Sequence, residues 1–229
     1  MKIIAMIPAR MGSQRLKRKN AMLLDGIPLI AHAIRKCKNV ELFNEIWVNS
    51  EHLDFKAIAE DEGVNFHERP AELANNVATS EQFVAEFFEK HPCDLLVQVH
   101  SIAPLLTAGE VEAFVKHFAE SGKDVMLSCI NDQIEVAYKD EPVNFTFAEK
   151  TNSQELIPTQ RITWSITGWR RETYLEAFNA GRCATYSGSI GFYPVSGLSG
   201  HVIKVQRDFD IAEVMLPILR AAEAAGEKL

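Results

Sequence analysis

At 229 residues, 47% of them hydrophobic and 24% charged, the chain has the composition of one ordinary globular domain. A formal net charge of -7 excludes a general nucleic-acid binder, which would carry a basic face, and no apolar run approaches the length of a membrane span. Cys37, Cys93, Cys129 and Cys183 are scattered, with no CxxC pair, so they read as buried free thiols in a reducing cytoplasm rather than as disulfides or a zinc site. The opening apolar run is too short for a signal peptide.

In chain order, Ile3–Ile7 reads as a buried parallel strand ending at Pro8. Pro28 suits the first position of a helix over 29–38, whose Leu29, Ile30, Ala33, Ile34 and Cys37 share one face. A strand at 45–50, a helix at 53–62 ended by Gly63, and a short strand at 64–67 follow. Thr79 or Ser80 caps a helix with an apolar stripe of Phe83, Val84, Phe87 and Phe88. A strand at 94–99, a helix capped by Thr107 and a strand at 124–130 complete a run of alternating elements, which predicts βαβ units and a mostly parallel sheet. Residues 131–161 are polar and interrupted, and read as an inserted arm rather than a second domain. Order returns with 162–169, a helix at 171–179, strands at 189–193 and 201–205, and a terminal helix from about 210 to 225.

Three stretches carry chemistry. Behind the first strand lies a knot of positive charge, Arg10, Arg15, Lys17, Arg18 and Lys19, interleaved with Gly12, Ser13 and Asn20. A strand that delivers such a loop at its carboxyl end suits a polyanion such as a nucleoside triphosphate; a solvated basic loop is the alternative. Arg69 follows a strand, where a guanidinium fixes a phosphate, carboxylate or base carbonyl, unless it pairs with Glu68 or Glu72 at the surface. His100 stands just past a central strand, placed either to donate to a base or ribose or to make a structural hydrogen bond. Asp208 and Asp210 follow the strand expected at 201–205. In an extended stretch, residues two apart share a face and both carboxylates meet one Mg²⁺; capping of the terminal helix is the competing role.

With these segments in order, the chain resembles the acylneuraminate cytidylyltransferase family. IPARMGSQRLKRKN at 7–20 is similar to the family's triphosphate loop through Arg10, Ser13, Lys19 and Asn20, with Gln14 in place of the usual Lys. RPAELANNVATS at 69–80 keeps Arg69 and Ser80 but has Asn76 where Asp is usual. HSIAPLL at 100–106 puts His100 at a Gln position, and RDFDIAE at 207–213 resembles the D-x-D metal segment. Glu51 closes a stretch that usually reads S-T-D, and 164–168 replaces an N-G-A-I-Y segment. Arg10–Leu16 also echoes the ketodeoxyoctulosonate branch, which carries a further metal-binding Asp where Ile102 stands.

The resemblance implies a Rossmann-like, three-layer α/β nucleotidyltransferase of one domain that joins CTP to a 2-keto-3-deoxy sugar acid, with the arm 131–161 as a homodimer contact. It implies Arg10, Lys19, Asp208 and Asp210 in catalysis and Asp208 and Asp210 on Mg²⁺. Ala9, Arg10, Ser13, Lys19, Asn20, Arg69, Ser80 and His100 would contact the nucleotide, and Gln160 and Arg161 the sugar. Two other readings stay open: a nucleotide-sugar binder without catalysis, and a same-fold transferase acting on a sugar phosphate.

Overall fold

The structure is a computed structural model describing residues 1–75 and 77–226. Its centre is a seven-stranded sheet. The strands are β1 (Ile3–Pro8), β4 (Glu45–Ser50), β5 (Asn65–Glu68), β6 (Leu95–Val99), β7 (Val125–Asp132), β10 (Thr159–Arg170) and β11 (Ile190–Pro194), in the order β11-β7-β10-β6-β1-β4-β5. Two small hairpins stand apart from it: β2 (Leu23–Leu24) with β3 (Ile27–Pro28), and β8 (Ala137–Tyr138) with β9 (Glu141–Pro142). All neighbouring pairs in the main sheet are parallel except those of β10, which runs antiparallel to both β6 and β7. The expected mostly parallel α/β sheet is therefore present.

Among the described residues six helices cover it: α1 (Leu29–Lys38), α2 (Leu53–Asp61), α3 (Ser80–Lys90), α4 (Ala108–Ser121), α5 (Arg171–Asn179) and α6 (Gln206–Ala225). Successive strand residues point to opposite faces, so β1 sends Ile3, Ala5 and Ile7 to one core and Ile4 and Met6 to the other. The first core packs against α1, α2 and α4 through Ile34, Phe55, Phe114 and Phe118; the second packs against α3 and α5 through Phe87, Phe88 and Tyr174. At about 1.5–3 kcal/mol for each large apolar side chain removed from water, these two layers dominate the stability of the fold. Gly168 lets β10 pass under α4, because a Cβ there would meet the Phe118 ring at 2.5 Å. No helix among the described residues is long and apolar enough to cross a membrane.

The segment 131–161 departs from and returns to the sheet. β7 and β10 pair from Thr159 opposite Asp132 through Arg161 opposite Ile130, so Gln160 and Arg161 lie on a sheet strand. The excursion between them carries the β8–β9 hairpin and a 3-10 turn at Ser153–Glu155. Cys37, Cys93 and Cys129 are buried free thiols, whereas Cys183 is exposed, contrary to its expected burial; it follows α5 in a surface turn and its Sγ donates to Glu81 Oε1.

One expected element is absent. Residues 201–204 form no strand, and α6 starts at Gln206, earlier than the sequence pattern suggests. Phe209 is buried against Leu24, Leu29 and Leu105, and this apolar anchor draws the first turn of the helix onto the core.

Candidate active site

The loop after β1 is held at several points by long-range bonds. Ala9 N donates to Asn49 O at 3.0 Å and Met11 N to Glu51 Oε1 at 2.8 Å, so the unusual Glu51 supports the loop from the end of β4. Asn20, in a 3-10 turn at Lys19–Ala21, donates from Nδ2 to Arg10 O at 3.2 Å and accepts at Oδ1 from Ser101 Oγ at 2.8 Å. Lys19 Nζ reaches across to donate to Ile203 O at 2.8 Å. A cationic loop that sequence alone leaves open to solvent is thereby wrapped around a cavity of about 280 Å³ at the carboxyl ends of β1 and β6, the place where open α/β sheets bind ligands.

Ala9, Arg10, Ser13, Lys19, Asn20, Arg69 and His100 all line this cavity. Of the expected nucleotide contacts, Ser80 is elsewhere: it opens α3 as an exposed residue beyond the cavity wall. Asn76 lies outside the described residues. Arg15 and Phe83 also line the cavity and were not singled out. Arg15 was visible as one more cation in the loop, but Phe83 read as core stripe.

Arg69 is buried, not paired at the surface with Glu68 or Glu72. Its Nε donates to Asn49 Oδ1 at 2.6 Å and its Nη2 to Asn49 O at 2.7 Å, and its guanidinium lies over the Phe83 ring at 4.2 Å. Burial pushes its pKa down to about 10, which leaves it charged at neutral pH. Arg69 thus presents a fixed, desolvated cation and a stacked ring to one flank. A neighbouring depression of about 250 Å³ continues past Arg10, Arg69 and Phe83 toward Asn75 and Ala78. Lys19 is held down to about 8, first by burial and then by Arg15, against the opposing pull of Asp208.

His100 forms the inner wall. Burial, with Lys19 adding to it, pushes its pKa down to about 4, so the ring is neutral at pH 7. Its Nε2 is buried and has no hydrogen-bond partner among the described residues. Gln98 Nε2 and Thr167 Oγ1 are in the same state on register-paired positions of β6 and β10. Orphaned buried polar atoms beside a cavity mark where a ligand or ordered water completes the network. His100 N donates to Ser165 O at 3.1 Å, next to a β-bulge in β10 where Trp164 takes a φ of 59°. A bulky residue in that region costs on the order of 1–3 kcal/mol, and such strain clusters at functional sites.

Asp208 and Asp210 do not form the expected pair. Both sit in the first turns of α6, flanking the buried Phe209, and two helical positions lie about 200° apart around the axis. Asp208 Oδ2 accepts from Lys204 N at 2.7 Å and Val205 N at 3.0 Å, while Asp210 Oδ1 accepts from Gln206 Nε2 at 2.7 Å and is exposed. Burial opposes ionisation of Asp208, but the two amides outweigh it and hold its pKa below the ordinary value. A capping role is what the structure assigns to Asp208. Among the described residues no group of three or more His, Cys, Asp or Glu is placed to hold a metal ion.

Beyond Lys19, a second cavity of about 280 Å³ is lined by Arg161, His201, Lys204 and Asp208, among others. Arg161 Nε donates to Asp132 Oδ2 at 2.8 Å; Gln160 is exposed on β10 and is not part of this wall. A larger depression of about 640 Å³ lies at the opposite, amino-terminal end of the parallel strands, beside Asp94, Asp124, Arg170 and Arg171. Its charged groups tie α5 to the sheet: Arg170 Nε donates to Lys123 O, Arg171 Nε to Phe88 O, and Asp124 accepts from Ser189 and Thr173. That depression is a packing feature, which leaves the β1 cavity as the candidate site.

A doubly wound α/β sheet with a cationic loop at its carboxyl edge is an architecture suited to binding a nucleotide. The sequence profile of the cytidylyltransferase family matches residues 4–212, and the chain belongs to that family. It is 39% identical over 104 residues to the N-acylneuraminate cytidylyltransferase of Escherichia coli O18:K1:H7, covering 45% of this chain and 24% of the relative. It is 30% identical over 123 residues to the 3-deoxy-manno-octulosonate cytidylyltransferase of Bdellovibrio bacteriovorus, covering 54% of this chain and 48% of the relative. The matched stretches therefore span about a quarter to a half of these relatives. In three dimensions the chain superposes on CMP:2-keto-3-deoxy-manno-octonic acid synthetase complexed with CTP with a TM-score of 0.71 at 16% identity, over 95% of this chain and 99% of the other. The 4-diphosphocytidyl-2C-methyl-D-erythritol synthase of Anaerococcus prevotii gives 0.65 at 13% identity, over 94% and 96%. At such identities the superpositions establish the fold.

Proposed function

We propose that this chain is a cytidylyltransferase that moves CMP from CTP to the anomeric hydroxyl of a sialic-acid-like 2-keto-3-deoxy sugar acid and releases pyrophosphate. The observation that carries the reading is the convergence of Arg10, Ser13, Lys19, Asn20, Arg69 and His100 on one cavity in a chain of this family. In-line attack of the hydroxyl on the α-phosphorus needs positioning and charge neutralisation more than covalent help from the protein. Arg10 and Lys19 stabilise the charge that develops on the departing pyrophosphate. Arg69, Phe83, Asn20 and neutral His100 fix the cytidine, His100 through an imidazole that both donates and accepts. Arg161 serves the sugar, exchanging Asp132 for the substrate carboxylate as a bidentate partner.

Asp208 and Asp210 diverge and do not fit a shared Mg²⁺, so no step is routed through that ion. The arm between β7 and β10 exposes Ile134, Tyr138, Val143, Phe147 and Ile157, an apolar surface suited to a second copy of the chain. A cytoplasmic setting, with CTP at hand, completes the reading.

The test is pyrophosphate release with CTP and a panel of nine- and eight-carbon ulosonic acids, with ATP, GTP and UTP as controls. Release with CTP and one acid is expected and names the sugar. The diverging aspartates favour a second reading, nucleotide binding without transfer, which predicts CTP binding and silence across the whole panel. Release that requires a sugar phosphate instead would overturn the acid as acceptor.

A further inference from the structure

The stretch in which two residues at i and i+2 would share a face lies just before α6, and what it presents there is Val202 and Lys204. Both line the second cavity together with Asp208, and the segment is fastened to the triphosphate loop because Lys19 Nζ donates to Ile203 O. Lys204 is exposed and lines that cavity together with Arg161. Arg10, Arg15, Lys204 and Asp208 all act electrostatically on Lys19, so these charges form one cluster across both cavities. Asp208 offsets only part of it, and its Oδ2 is already occupied by the amides of Lys204 and Val205. A divalent cation brought here would find one carboxylate, Asp208, with one of its oxygens already taken by two amides, beside Lys204 and Arg161, whereas Mg²⁺ takes oxygen ligands. An ammonium supplies the neutralising charge itself, as a point charge on a flexible stem.

We propose that Lys204 takes the place of a protein-bound metal ion in this chain: with Arg10, Arg15 and Lys19 it neutralises the triphosphate, and CTP is bound as the metal-free nucleotide. The proposal rests on the reading of the β1 cavity as a CTP site and adds to it the means of charge compensation. It makes Lys204 a nucleotide-binding residue that the D-x-D spacing conceals.

The experiment is calorimetric titration of the full chain with CTP, in excess EDTA and in excess Mg²⁺, for the wild type, Lys204→Ala and Lys204→Gln. Removal of Mg²⁺ is expected to change wild-type affinity by less than about threefold, and either variant to lose about tenfold in EDTA, as for a charge-assisted phosphate contact worth one decade. The exposed position of Lys204 keeps both variants folded, which their unfolding curves check. Wild-type binding that weakens by more than about tenfold in EDTA, or variants that bind like wild type there, would overturn the proposal. No binding of CTP in either buffer, or equal binding of all four nucleoside triphosphates, removes the CTP reading itself and the proposal with it.

Discussion

The two ends of the candidate site, the loop at 9–20 and the segment at 201–210, look alike in sequence and differ in structure. Each follows an apolar stretch, and each carries charged residues at spacings associated with nucleotide chemistry. In the loop, the charges do converge, because its backbone is irregular and pinned by Asn49, Glu51, Ser101 and Ile203 from three other segments. In the C-terminal segment they diverge, because Phe209 is drawn into the core and the backbone turns helical one residue after Val205. The same D-x-D letters point one way on a strand and opposite ways on a helix. Charge type therefore locates a site, but backbone period decides which charges reach it.

Substitutions at the two ends sharpen this contrast. Lys19→Ala should have the largest effect, a loss of at least about 100-fold in cytidylyl transfer, since in the proposed reaction that cation stabilises the leaving pyrophosphate; steady-state pyrophosphate release measures it. Arg69→Ala should weaken CTP binding about tenfold or more and cost about 2–3 kcal/mol of stability, because Asn49 is left with unpaired buried acceptors. Denaturant unfolding and nucleotide titration separate the two effects. At the other end, Asp208→Ala should cost about 1 kcal/mol, the value of a helix-terminal carboxylate. Asp210→Asn should stay within about 0.5 kcal/mol of wild type and within about twofold in turnover, as for an exposed position without partners in the site. A large effect of Asp210→Asn on turnover would break the comparison.

The pH dependence offers a smaller test. His100 is held near 4 in the folded chain against an ordinary 6.5, so between those values the unfolded chain binds more protons. Stability should fall as pH drops from about 6.5 towards about 4, by the order of 1–2 kcal/mol at pH 5 from this residue. His91, also held near 4 by burial and by His67, adds in the same direction. Unfolding curves of wild type and His100→Gln at pH 7 and 5 should show the variant less sensitive; equal sensitivity would mean that the imidazole is not held neutral.

Much of the frame was legible in the sequence. The helix expected over 29–38 is observed over those residues, because Pro28 and a clear 3.6-residue period mark it, and Thr107 caps α4 as its hydroxyl predicts. The cation loop was legible too, since five positive charges behind a strand in an acidic chain have few other uses. What could not be read is set by long-range contact. The burial of Arg69 depends on Asn49, twenty residues away, and His100 is held through its backbone by Ser165, beside a bulge in the antiparallel strand β10. The strand expected at 201–205 failed because alternation over five residues does not outweigh the anchoring of Phe209. The role of Lys204 was hidden by the aspartates beside it.

The most direct measurement is a crystal structure of the chain with CTP. The account predicts the triphosphate against Arg10, Arg15 and Lys19, the cytidine between Arg69, Phe83 and His100, and Asp210 turned away from the nucleotide. A nucleotide bound elsewhere, or a metal ion held between Asp208 and Asp210 after rearrangement of the first turn of α6, would contradict it.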